Sequence, residues 1–375
     1  MDNPAITRSD FANRLYSKLT GTHAGENMFF SPFSIEIALA IAAVGARGET
    51  RQEMIELIGA PESIDEQNQL YARLLNSVYG DSKQPFELIV ANAFWGQRGY
   101  SFNPAFQEAI AEFYDAALHV VDFHAQPADA VKAINSWVNE KTRGKIRDVI
   151  NRSFINNDTR LIITNAVYFK GTWVKVFERD STTDEIWHGP TTSTVQMMHQ
   201  KAGYLHYDGD GFQAVNLPYR GHQFSMLIVL PRKYDGLAAL EQRWTTQQLF
   251  RQVTDGLDPE TVILSVPRFK IEAGFTLRPV LCALHADAAF RDDADFSGIS
   301  NEPSKISEVV HKAFVEVNEE GTEAGAATAV GMMAGGLGSR PPEPIVFKAD
   351  HPFLLFIWDR KTNAIYFSGR LVNPN

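Results

Sequence analysis

Residues 319–344 read EEGTEAGAATAVGMMAGGLGSRPPEP, and this stretch is unlike the rest of the chain. It is rich in small residues, glycine and proline and has almost no large side chain to anchor it, so its composition predicts an exposed loop. Loops of this length are uncommon in compact domains unless they are functional. From Thr322 to Val330 the even positions nevertheless hold Thr, Ala, Ala, Thr and Val, and all of these would lie on one face of an extended strand. The pattern alone favours a flexible tether over a segment that enters a sheet.

The remainder of the chain is predicted to form one α+β domain over residues 1–375. Ser31 and Pro32 supply a cap and a first-turn residue for a predicted helix whose residues Ile35 to Val44 are apolar almost all round. The apolar stretch Pro32 to Val44 is broken by Glu36 and is too short to span a bilayer. A second, surface helix is expected around Val131–Val138. The predicted strands, most of them apolar on both faces, are Phe86–Trp95, Leu161–Phe169, Phe212–Leu217, Phe224–Leu230, Val262–Val266, Ser307–Val317, Phe353–Trp358 and Ala364–Phe367.

The composition excludes several classes of protein. With 375 residues, 44% of them hydrophobic and 21% charged, the chain has the balance of a globular protein with a real core. Its net charge of −10 opposes binding to nucleic acid or to anionic membranes, so neither is an expected partner. The polar segment Met1–Asp10 lacks the apolar run of a signal peptide. A cytoplasmic location is therefore expected for a full-length chain, and a secreted or periplasmic one for a trimmed chain.

No catalytic or metal-binding motif is recognisable. The nearest approach to a G-x-S-x-G nucleophile motif, Ser297–Ser300, is followed by Glu302 where a second glycine is needed. His119 and His124 are spaced wrongly for two zinc ligands on one helix face. Cys282 is the single cysteine, so no internal disulfide exists, and its apolar neighbours suggest a core residue. We therefore expect no catalytic residues, no metal and no cofactor.

Several separate segments together resemble the serpin family, and they occur in that family's order over essentially the whole chain. Because each segment is short, the order of all of them carries the resemblance, and the chain is identified as a member of this family. The segments are Asn27–Ile35 (NMFFSPFSI), Gly45–Thr50 (GARGET), Asn135–Asn139 (NSWVN), Thr164–Trp173 (TNAVYFKGTW), Val195–Met198 (VQMM), Val309–Ala313 (VVHKA), Val317–Ala324 (VNEEGTEA) and Asp350–Leu354 (DHPFL).

The resemblance implies a fold with three β-sheets, eight or nine helices and an exposed reactive-centre loop at about residues 319–344. It also implies a protease inhibitor rather than an enzyme. Inhibitory serpins trap a serine protease as a covalent acyl-enzyme, because the cut loop inserts its amino-terminal part into the largest sheet. The expected partner is such a protease, and the inhibitor is expected to be a monomer. The alternative is a non-inhibitory serpin that acts as a chaperone, carrier or storage protein.

The same resemblance assigns the start of the loop to a hinge. Thr322 would be the first residue to face inward, where a charge would be buried unpaired, and it is small and uncharged. Gly325 departs from the alanine that is usual in the family, but it would face outward after insertion. An inhibitory member is therefore favoured. The hinge residues are Glu319, Glu320, Gly321, Thr322, Glu323, Ala324, Gly325, Ala326, Ala327 and Thr328.

Two further groups of residues match positions that control insertion in the family. A polar cluster beneath the opening sheet, the shutter, comprises Ser31, Ser34, Asn165 and His311. The point where insertion begins, the breach, comprises Trp173, Arg268 and Glu319, and we expect Arg268 and Glu319 to form an ion pair.

Family spacing places the scissile bond fourteen positions beyond Gly321, between Gly335 and Gly336, with Met333, Ala334 and Leu337 as alternates. Arg340 is disfavoured because Pro341 follows it. The small and apolar residues near the bond suit an elastase-like or subtilisin-like target. Residues 63–79, where several serpins bind heparin, contain one basic residue, so heparin is not an expected partner.

Overall fold

The computed structural model describes residues 4–79, 85–245, 247–322 and 343–375. Nine α-helices lie in these ranges. They are α1 (Pro4–Thr22), α2 (Pro32–Gly45), α3 (Gly48–Ile58), α4 (Ile64–Tyr79), α5 (Pro104–Tyr114), α6 (Pro127–Lys141), α7 (Leu237–Trp244), α8 (Gln247–Asp255) and α9 (Arg278–Cys282). Within these ranges no helix is both long and apolar enough to cross a bilayer.

The strands of the same ranges form two hydrogen-bonded sheets. They are β1 (Met28–Phe30), β2 (Phe86–Gln97), β3 (Ala117–Val121), β4 (Leu161–Thr172), β5 (Thr183–His188), β6 (Thr192–Gly209), β7 (Phe212–Pro218), β8 (Phe224–Pro231), β9 (Asp258–Pro267), β10 (Phe269–Thr276), β11 (Ile306–Asn318), β12 (Gly321–Thr322), β13 (Ile345–Lys348), β14 (Phe353–Asp359) and β15 (Ala364–Leu371).

The first sheet, called the main sheet below, has the strand order β10-β11-β12-β4-β2-β3. Strands β4 and β11 run parallel and pair directly from Leu161 and Ile306 up to Tyr168 and Phe314. Above that level they separate, and β12 lies between them, antiparallel to both. The centre of the main sheet is therefore closed in its lower part and occupied by two residues of another strand at its upper end.

The second sheet has the order β1-β15-β14-β8-β7-β6-β9-β13, with β5 paired to β6. The small third sheet of the expected fold consists of β5, β13 and the parts of β6 and β9 that pair with them. It is continuous with the second sheet because β6, with 18 residues, pairs with β5 at its start and with β7 at its end.

Helix α2 confirms the predicted buried helix. The Ser31 side chain accepts a hydrogen bond from the Ser34 backbone N–H, Pro32 occupies the first turn, and every residue of the helix is buried. The helix contacts β4 of the main sheet and β15 of the second sheet, so it lies between the two sheets. Helix α6 packs through Ile134 and Val138 on the opposite face of the main sheet. Both faces of β4 and β11 are therefore covered, as their apolar sequences predict.

Candidate functional site

The first inward hinge residue lies inside the main sheet. Thr322 pairs with Gly171 of β4 and with Val317 of β11, and it is fully buried. Its Oγ1 lies 2.6 Å from the hydroxyl oxygen of Tyr219, whose ring stacks on Trp173 with centroids 4.5 Å apart. Burial raises the pKa of Tyr219 far above its ordinary value, so this hydroxyl keeps its proton. The Thr322 side chain is thus hydrogen-bonded although water is excluded.

Gly321 is required where the chain turns into the sheet. Its φ is +153°, and a Cβ atom at this position would overlap the carbonyl oxygen of Gly171. A side chain here would push β12 away from β4. The glycine therefore allows the hinge to approach the strand closely enough to pair.

The breach residues meet directly above β12. Trp173 donates its indole N–H to the carbonyl of Asn318 at 3.0 Å and its backbone N–H to the carbonyl of Glu320 at 2.9 Å. The backbone N–H of Phe177 donates to the carbonyl of Glu319, also at 2.9 Å. The segment after β4 therefore holds the backbone of the first two hinge residues.

The carboxylate of Glu319 is buried and fully engaged. Arg268 Nε lies 2.8 and 2.9 Å from its two oxygens, and the Thr182 hydroxyl donates to Oε1 at 2.5 Å. Burial alone would raise the pKa of Glu319, but the hydrogen bonds from Arg268 and Thr182, together with the charge of Arg268, hold this pKa below its usual value. The neighbouring Glu320 instead pairs with Arg179, whose side chain is 69% exposed.

The four shutter residues meet where β4 and β11 pair directly. Asn165 and His311 are opposite each other in the register, and His311 Nδ1 hydrogen-bonds Asn165 Oδ1. Asn165 Nδ2 donates to the carbonyl of Ser34 at 3.0 Å and also to the side chain of Asn92. Ser31 donates its backbone N–H to His311 Nε2 at 3.1 Å. All these side chains are buried, so they form one hydrogen-bonded unit under the strands.

This network defines the protonation of His311. Since Nε2 accepts the Ser31 N–H, the ring proton belongs on Nδ1, where it is donated to Asn165. Burial lowers the pKa of His311 to about 3, so the ring is neutral at physiological pH. A second proton would remove the acceptor that Ser31 requires.

Three residues that sequence reasoning missed belong to these sites. Tyr219 and Thr182 contact the hinge, and Asn92 extends the shutter. The remaining hinge residues and the whole predicted cleavage region lie outside the described residues: Glu323, Ala324, Gly325, Ala326, Ala327, Thr328, Met333, Ala334, Gly335, Gly336 and Leu337. The described chain resumes at Glu343 and enters β13 of the second sheet.

Burial raises the pKa of Cys282, which keeps its thiol protonated. The His119 ring stacks on Trp95 and meets Trp137 edge-on. Among the described residues, no three His, Cys, Asp or Glu side chains are grouped so that they could hold a metal ion.

Acid should destabilise the folded chain through His311. The unfolded chain binds a proton on this residue below about pH 6.5, whereas the folded chain binds it only near pH 3. The free energy of unfolding should therefore fall between these values, by up to about 1.4 kcal/mol per pH unit from this group. Urea unfolding at pH 7, 6 and 5 should show a smaller decrease for His311→Gln than for the unaltered chain. The exposed His124→Gln serves as the control, and an unchanged pH dependence in His311→Gln would contradict the assignment.

Comparison with known proteins identifies the family of this chain. The family described as Serpin (serine protease inhibitor) matches residues 7–374. A serpin-like protein of Thermococcus kodakarensis is 42% identical over 98% of this chain and 84% of its own length, and the leukocyte elastase inhibitor of Bos taurus is 38% identical over the full length of both. The crystal structure of human thyroxine-binding globulin superimposes with a TM-score of 0.90 at 28% identity, covering 99% of this chain and 98% of that one. The chain belongs to the serpin family.

Proposed function

We propose that this protein is an inhibitory serpin that traps a serine protease during cleavage of its own loop. The protease serine would attack the carbonyl carbon of the scissile residue, forming an ester and releasing the next residue as a new amino terminus. The cut would break the covalent connection through the loop between Thr322 in β12 and strand β13. The amino-terminal part could then extend β12 down the main sheet before water hydrolyses the ester.

The register of β12 is the observation that carries this proposal. Thr322 is paired with residue 171 of β4 and residue 317 of β11. Thr328 comes six residues after Thr322, while Asn165 and His311 come six residues before Gly171 and Val317. If the antiparallel register continues without a bulge, Thr328 would therefore lie between Asn165 and His311. These two shutter residues now hydrogen-bond each other. Insertion would replace that bond with a threonine hydroxyl that can both donate and accept.

The side chains of the loop suit this path. Residues at even positions would face the same side as Thr322, toward the interior between the sheets. Ala324, Ala326 and Thr328 are all small there. Each inserted residue would exchange hydrogen bonds with water for backbone hydrogen bonds to β4 and β11. The direct hydrogen bonds between β4 and β11 would be lost. A net gain over the length of the strand would supply the energy for trapping.

The target is proposed to be an elastase-like or subtilisin-like protease that cuts between Gly335 and Gly336 or at the neighbouring alternates. The apolar and small residues of that stretch support this class. The sequence similarity to the leukocyte elastase inhibitor of Bos taurus also supports an elastase-like target. The alternative is a carrier, as the similarity to thyroxine-binding globulin suggests.

Incubation with elastase, subtilisin, chymotrypsin and trypsin tests the proposal. At least one elastase-like or subtilisin-like enzyme should yield a complex that survives denaturing electrophoresis. The mass of the released carboxyl fragment would identify the scissile bond. Loop cleavage by every enzyme without any such complex would favour the non-inhibitory alternative.

Thr322→Arg should turn the inhibitor into a substrate. The guanidinium would have to enter the buried space beside Tyr219 without a carboxylate partner, which is costly, so insertion would be slowed and the ester hydrolysed. We expect the yield of stable complex to fall at least about tenfold while loop cleavage continues. Thr322→Ser, which keeps the hydroxyl, is the control. Equal yields of complex from Thr322→Arg and the unaltered chain would exclude this role of the hinge.

Glu319→Lys should shorten the lifetime of the uncut form. The substitution places two positive charges in contact at a buried site and removes the acceptor of the Thr182 hydroxyl. Spontaneous loop insertion or polymer formation at elevated temperature, followed by native electrophoresis and residual inhibition, should become several times faster. Glu320→Lys is the matched control because its partner Arg179 is exposed. Similar rates for the two variants would count against the Arg268 ion pair as the restraint.

A further inference from the structure

A cavity of about 470 Å³ lies on the second sheet, beside α7 and the turn between β5 and β6. None of the described hinge, breach and shutter residues lines it. Part of its lining is apolar, with Leu237 from α7, Pro352 immediately before β14 and Val372 immediately after β15. The volume is in the range of small-molecule sites.

One wall of the cavity is an exposed aromatic side chain held in a fixed orientation. Tyr234 is 56% exposed, yet its ring is nearly parallel to that of His188, with centroids 4.3 Å apart. It also meets the ring of the buried His351 edge-on at 5.0 Å. Because the tyrosine is already ordered, a ligand that packs on it would lose little side-chain entropy in binding.

Two carboxylates that line the cavity, those of Glu241 and Asp235, have oxygen atoms available to accept hydrogen bonds. Glu241 Oε1 accepts hydrogen bonds from Tyr16 and from Arg370 Nη1, both at 2.7 Å. No donor in the described part of the chain reaches its Oε2. Arg370 is also committed, since Nε and Nη2 donate to the backbone carbonyls of Glu26 and His23 and the side chain is only 4% exposed. Asp235, on the rim, is exposed and pairs with no basic side chain of the described ranges.

We propose that this cavity binds small organic cations with an aromatic or apolar body, of the arylalkylamine class. The ammonium group would lie between Glu241 Oε2 and Asp235, and the apolar body would pack against Tyr234 and Leu237. An anion of the same shape would face two carboxylates, while Arg370 already donates to Glu241 and to two backbone carbonyls. The net charge of −10 also favours a cation over an anion. This site lies beyond the proposed inhibitory function and does not depend on it.

The test uses 2-phenylethylamine, with 3-phenylpropionate as the anionic probe of similar shape. Isothermal titration and saturation-transfer NMR on the intact chain should show millimolar or tighter binding of the amine. The carboxylate should bind at least about tenfold more weakly. Absence of amine binding, or equal binding of the two probes, would overturn the proposal.

Two variants locate the site. Tyr234→Ala and Asp235→Asn alter exposed side chains and should each weaken binding of the amine at least about threefold without lowering the melting temperature. Asp255→Asn, an exposed carboxylate at the end of α8, should leave binding unchanged. Affinities of Tyr234→Ala and Asp235→Asn equal to that of Asp255→Asn would show that the amine does not bind in this cavity.

Discussion

The direct pairing of β4 with β11 is the constraint on which the rest of the structure depends. Below Tyr168 and Phe314 the two strands pair with each other, and above that level, within the described part of the chain, Gly321 and Thr322 lie between them. The central position of the main sheet is therefore partly filled, and a longer strand can enter only if this pairing is given up. A parallel pair is slightly less stable per residue than an antiparallel one, so the exchange favours the antiparallel strand once it can begin.

In the proposed mechanism, two groups of side chains would oppose that exchange, one at the upper end of the main sheet and one lower down. At the upper end, the Glu319 carboxylate binds Arg268 and Thr182 while the segment after β4 holds the hinge backbone. Lower down, neutral His311 and Asn165 join β11 to β4, and their partners on α2 and β2 complete the network. Such buried networks are strong when every group is satisfied and costly when one is removed. Opening of the strands at the shutter level must therefore break bonds in a place that water does not reach.

The sequence predicts some of these elements well and others poorly, for physical reasons. Helix α2 and strands β4 and β11 are predictable because each contains a run of apolar residues that becomes buried, such as Ile37–Val44, Leu161–Ile163 and Ala313–Val315. Strand β10, which is missing from the predicted strands, alternates strictly between buried and exposed residues, and its sequence shows the same alternation. Strand β6 is interrupted by glycines and charges, so its formation depends on the strands that pair with it. The shutter residues could be named only from the family resemblance. Tyr219 follows a strand end and reaches Thr322 only through tertiary packing, so no local pattern indicates it.

The most direct measurement of the central claim is a comparison of melting temperatures for intact chain and chain cut within residues 323–342, with both fragments retained. If the uncut form is held away from its most stable arrangement by the tie between Thr322 and β13, calorimetry should show the cut material melting more than about 10 °C higher. Equal melting temperatures for the two forms would mean that no energy is stored in the uncut loop, and the trapping mechanism would have to be abandoned.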